Sequence, residues 1–94
     1  MIERAGAFSI VLECIEKKAA KTITKKINIP TIGIGSSNSC DGQILVTDDL
    51  LGLSGFYPKF VKKYANLRSI IESAVRKFKK DVKNKKFPTK NNEY

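Results

Sequence analysis

Glu13 closes the run Ala7-Phe8-Ser9-Ile10-Val11-Leu12, and a carboxylate behind so apolar a stretch raises a chemical question. Such a run reads as a strand covered on both faces. A carboxylate buried at its end is costly unless it is paired, protonated or bound to something. Two roles fit: a general base that takes a proton from a substrate, or a surface group partnered by Lys17 about a turn onward. Other groups are less telling. Gly33-Ile34-Gly35 invites a phosphate-cradle reading, but Asn38 stands where the third glycine of G-x-G-x-x-G belongs. Close backbone approach explains these glycines as well. Asp41, in Asp41-Gly42-Gln43, offers a ligand-binding carboxylate or simple turn chemistry. Asp48-Asp49 looks like a metal-binding pair, yet no histidine and no third carboxylate stand at useful spacing, so capping is the simpler role. Cys14 and Cys40 form no C-x-x-C pair and, without histidine, make a poor zinc set. They read as reduced thiols in or near a core.

These groups need elements to hold them. The pattern predicts strands near 7–12, 31–35 and 43–47, and helices near 16–27 and 67–84. Ala19, Ala20, Ile23 and Ile27 fall at helical spacing in the first helix, and Asn28-Ile29-Pro30 stops it. The span 36–42 is a polar loop rich in turn residues. Asn66 is a plausible N-cap for the last helix. Leu67, Ile70, Ile71, Ala74, Val75, Phe78 and Val82 give that helix one apolar stripe. Residues 85–94 form a polar tail. Strand–helix–strand order with doubly covered strands points to an α/β protein. Three parallel strands leave open edges and bare faces, so residues 1–94 read as one part of a larger α/β domain.

The chain has 94 residues and 41% apolar content, enough for one small folded unit. Its net charge of +9 is uneven. Residues 1–58 carry six basic and six acidic side chains, while residues 59–94 carry twelve and three. A basic end of this kind could hold nucleic acid or anionic lipid, and a non-catalytic basic binding module is the alternative reading of the chain. No reading helix and no base-stacking aromatic motif accompanies it, so nucleic acid is not the expected partner. With no signal peptide or membrane-length apolar run visible, the expected location is cytoplasmic and no membrane partner is expected.

Four blocks then carry a resemblance. AGAFSIVLECI, IPTIGIGSS, CDGQILVTDDLLGL and YPKFVKKYANL are similar, in order and spacing, to the C-terminal third of the ketopantoate hydroxymethyltransferase family. The similarity runs from about Ala5 to Pro88. It implies the sixth to eighth strands of a (β/α)8 barrel, a fold whose active sites lie at the C-terminal ends of the strands. It also implies transfer of a hydroxymethyl group from 5,10-methylenetetrahydrofolate to a 2-oxo acid, 3-methyl-2-oxobutanoate, giving 2-dehydropantoate for pantothenate biosynthesis. A magnesium ion and a homo-oligomer belong to the same expectation.

By this resemblance Glu13 is the proton acceptor. A metal-held 2-oxo acid has a polarised carbonyl and an acidified C3 proton. A carboxylate in partly apolar surroundings has a pKa raised toward the range of a general base. Ser36, Ser37 and Asp41 become candidate substrate-binding groups. The magnesium ligands are expected on earlier strands and none in this chain, so the 94 residues alone are expected to be inactive. Four stretches depart from the pattern the resemblance leads one to expect. Glu16 replaces a proline, Ser36-Ser37 replaces Ala-Gly, Asp48 replaces a histidine, and the tail lacks the histidine usual after Phe87-Pro88.

Overall fold

The computed structural model describes residues 1–94. Strand β1 (Ile10–Glu13), helix α1 (Lys17–Lys26) and strand β2 (Thr31–Ile34) form a strand–helix–strand unit. Strand β3 (Gly42–Gln43), the one-turn helix α2 (Thr47–Leu50) and the long helix α3 (Leu67–Lys83) follow. Short 3-10 turns lie at Glu3–Ala5 and Lys90–Asn92. All three strands are parallel, in the order β1-β2-β3. Ile10 sits beside Thr31, Leu12 beside Gly33 and Glu13 beside Ile34. None of the helices is long and apolar enough to cross a membrane.

Helix α1 begins at Glu16, whose carboxylate accepts from the N–H groups of Lys18 and Ala19 at 3.0 and 3.1 Å. These are two of the donors a helix start leaves unpaired. The Glu16 charge also stands at the favourable end of the helix dipole. The helix lays Ala20, fully buried, against Leu12 of β1 and Cys40. Ile10, Ile15 and Ile23 pack around this small core. Lys25 and Lys26 occupy the last turn, where cations suit the dipole.

The connection from β2 to β3 is short and has no helix, although parallel strands commonly need a crossover of a dozen residues or more. Residues 35–41 make the crossing themselves. Cys40 in this crossing is buried against Leu12 and Ala20. A clamp closes the loop. The Asp41 carboxylate accepts from the Thr31 N–H at 2.8 Å and from the Thr31 hydroxyl at 3.1 Å. The Asp41 N–H in turn donates to the Thr31 hydroxyl oxygen at 3.2 Å. Thr31 is fully buried and lies 2.9 Å from the Thr24 hydroxyl of α1. The crossing needs room at Gly33, where a β-carbon would stand 2.9 Å from the Gln43 amide and 3.2 Å from the Cys40 sulfur.

The third strand differs from the 43–47 expected of the sequence. Pairing stops at Gln43, and Thr47 already begins α2. The apolar run Ile44-Leu45-Val46 stays outside the β3 span, and β3 has no further neighbour to extend it. The segment after α2 folds back: Tyr64 and Ala65 donate to the Leu50 carbonyl, and Leu67 to that of Leu51. Gly52 permits this seam. Its φ is +74°, and a β-carbon there would lie 2.2 Å from the Ala65 carbonyl oxygen. Asn66 does occupy the N-cap position of α3, but its side chain makes no capping bond. Beyond it α3 runs out from the sheet with no buried residue.

Candidate active site

Parallel strands bring their C-terminal ends to one rim, and Glu13 is the last residue of β1 on that rim. Its direction follows from the pleat. Leu12 faces α1 and is buried there. Successive strand residues point to opposite faces, so Val11 and Glu13 belong to the face that α1 does not cover. Both are exposed. The register sets Ile32 beside Val11 and Ile34 beside Glu13, which assigns both isoleucines to the same face. Ile32 Cδ1 lies 3.0 Å from where a side chain on Gly42 would begin. Two residues on, Ile44 is about half exposed. Glu13 is therefore a carboxylate at the rim of a bare apolar sheet face.

Nothing in the chain pairs with it. The ion pairs are Arg68 with Glu72 and Arg76 with Glu72, both along α3. Lys17 is not a partner. The turn after Glu13 is local and firm: Cys14 adopts a left-handed φ of 51°, and its N–H donates to the Ile34 carbonyl at 2.9 Å. A non-glycine residue in that conformation is uncommon. It ends the strand abruptly and leaves Glu13 at the edge.

Ser36 and Asp41 have structural partners. The Ser36 hydroxyl donates to the Ile15 carbonyl at 2.8 Å, tying together the loops that follow β1 and β2. Asp41 holds Thr31, ten residues back and on the side of the sheet that α1 covers. Ser37 is buried; its hydroxyl accepts from the Ser39 N–H, and its carbonyl accepts from the Gln43 amide at 2.7 Å. A shallow cleft of about 620 Å³ runs along the rim, with Cys14, Lys17, Ser36, Asn38, Lys59 and Phe60 among its lining. Glu13 does not line it. Lys59 and Phe60 were not singled out by the sequence, because the back-folded segment after α2 brings them there. The Phe60 ring packs on Gly35, 2.8 Å from where a β-carbon would stand.

The residues present do not fit a magnesium site. No three histidine, cysteine or carboxylate side chains converge anywhere in the chain. Asp49 accepts from the Ser54 hydroxyl. The Asp48 carbonyl accepts from the N–H groups of Leu53 and Ser54, so this aspartate pair organises the turn after α2.

The family model described as Ketopantoate hydroxymethyltransferase matches residues 1–90. A 3-methyl-2-oxobutanoate hydroxymethyltransferase of Pelagibacter ubique is 57% identical over 94 residues, all of this chain and 37% of the relative. The protein of the same name from Thermosipho melanesiensis is 57% identical over 88 residues, covering 93% of this chain and 33% of the relative. That of Chlorobaculum tepidum is 50% identical over 95 residues and 34% of its length. The chain belongs to the ketopantoate hydroxymethyltransferase family, and it spans about a third of the length of the curated relatives it matches.

Proposed function

We propose, with membership of the ketopantoate hydroxymethyltransferase family as the premise, that this chain supplies the general base of a hydroxymethyl transfer. The observation that carries the reading is the placement of Glu13: last in its strand, on the face turned away from α1, and free of any ion-pair partner. In a (β/α)8 barrel the helices form the outer ring and the active site lies at the C-terminal ends of the strands. A face turned from the helix and a position at the strand end together make the mouth of such a barrel. The three strands are read as its sixth, seventh and eighth.

The substrate is 3-methyl-2-oxobutanoate, and the one-carbon donor is 5,10-methylenetetrahydrofolate. The Glu13 carboxylate takes the proton from C3 of the 2-oxo acid. The electron pair of that C–H bond becomes the enolate. Water adding to the folate donor releases its methylene carbon at the oxidation level of formaldehyde. The enolate carbon bonds to that carbon, and the alkoxide so formed takes up a proton, which completes the hydroxymethyl group of 2-dehydropantoate. Proton transfer by a positioned carboxylate contributes about 10²–10⁴-fold to such a step. The magnesium ion that the resemblance implies finds no ligand set here, so this chain's share of the chemistry is the base. Pantothenate biosynthesis, a cytoplasmic location and a homo-oligomeric assembly complete the reading.

The test uses a chimera in which this chain replaces the matching third of the Pelagibacter ubique relative. In deuterium oxide the chimera should exchange the C3 proton of 3-methyl-2-oxobutanoate. Glu13→Gln should slow that exchange by at least about 100-fold, with substrate affinity within about twofold. Undiminished exchange by the variant removes Glu13 from the role.

A further inference from the structure

We propose that the rim cleft is a cationic subsite for the glutamyl carboxylates of the folate donor, held by Lys17 and Lys59. This subsite rests on the folate donor of the proposed function and not on the role given to Glu13. The cleft, about 620 Å³, has the size of small-molecule sites. Its wall includes Cys14, the residue after Glu13, but not Glu13 itself. The left-handed turn at Cys14 separates the two. A 2-oxo acid that gives its C3 proton to Glu13 therefore sits outside this cleft. The second reactant is long. It reacts at its pteridine end, and its other end is a p-aminobenzoyl ring followed by a glutamate with two carboxylates. A cleft that borders the base without containing it suits the far end of such a molecule.

The charges of the cleft agree with that end. Lys17 and Lys59 line it, both are exposed, and neither belongs to an ion pair. The nearby Lys62 and Lys63 lie over the rings of Tyr64 and Tyr57, which leaves Lys59 as the free ammonium of the back-folded segment. Lys17 opens α1, where the helix dipole is positive and a cation is disfavoured. An anion bound beside it removes that penalty. Glu16 is the one carboxylate on the cleft wall, and its Oε2 is already taken by the Lys18 and Ala19 N–H groups. Phe60, 38% exposed, supplies an aromatic wall for the ring that precedes the glutamate.

The experiment measures binding without turnover, by calorimetry at low ionic strength, on the chimera with the Pelagibacter ubique relative. Tetrahydrofolate should bind at least about tenfold more tightly than tetrahydropteroate, which lacks the glutamate. Lys17→Gln and Lys59→Gln should each weaken tetrahydrofolate by about threefold to tenfold and leave tetrahydropteroate within about twofold. Lys59→Arg keeps the charge and should keep most of the affinity. Lys21→Gln, on an exposed position of α1 outside the cleft, should change either affinity by less than about twofold. Equal affinity of the chimera for the two pteridines overturns the proposal, and that comparison needs no variant. So do lysine variants that weaken both pteridines alike, since that marks a structural loss. Binding of neither pteridine removes the folate donor and the subsite with it. Failure of Glu13 as base leaves these affinities in place, because no proton moves in the measurement.

Discussion

The sheet region and the C-terminal helix carry equally clear apolar patterns, yet only one of them is buried. Every buried residue, from Leu12 to Gly52, lies in the sheet region or the seam behind it. Helix α3 buries none, and Ile70, Val75 and Phe78 are each more than half exposed. The shape records the contrast. The radius of gyration is 22.1 Å, where a compact unit of this length has about 12 Å. A stripe states that a partner exists; it does not supply one. α1 finds its partners close by in the chain, Leu12 of β1 and Thr31 of β2, whereas the stripe of α3 meets little beyond the Phe87 ring against Phe78.

Mutations can break that contrast or sharpen it. Leu12→Ala should have the largest effect on the chain, a loss of about 2–5 kcal/mol. Leu12 is one of the few buried apolar side chains, and urea unfolding followed by circular dichroism checks the loss. Asp41→Ala comes next, at about 1–3 kcal/mol. It leaves the N–H of the fully buried Thr31 without its acceptor. Amide exchange at Thr31 should accelerate in step with the loss of stability. Glu16→Ala removes the acceptor of two helix-start N–H groups and should cost about 0.5–2 kcal/mol. Val75→Ala should be nearly silent in the same unfolding experiment, within about 0.5 kcal/mol, because the side chain is exposed. A large effect there would mean that α3 packs on something in solution and would erase the contrast.

What the sequence made legible divides along the same line. The spacing of Ala20 and Ile23 sufficed for α1, which runs over Lys17–Lys26 beside an expected 16–27. Strand β3 was not legible in its length. The apolar run through Val46 looks like a strand, but β2 ends at Ile34, so beyond Ile44 the run has no strand residue opposite it. Asp41 stood between ligand binding and turn chemistry. The structure finds its carboxylate on Thr31, a contact across ten residues that no local pattern encodes. Glu13 was visible as an anomaly, a carboxylate ending an apolar run. Its face was not, because the pleat can be assigned only once Leu12 is known to meet Ala20. The helix start was legible at Glu16, but its two capping bonds became visible only in the structure.

A crystal structure of the chimera with 3-methyl-2-oxobutanoate bound measures the decisive quantity, the separation between the Glu13 carboxylate and C3 of the substrate. The account predicts a Glu13 oxygen within about 3.5 Å of C3, inside the ring of strands and opposite α1. A substrate seated elsewhere, or a Glu13 side chain turned outward beneath α1, would contradict it.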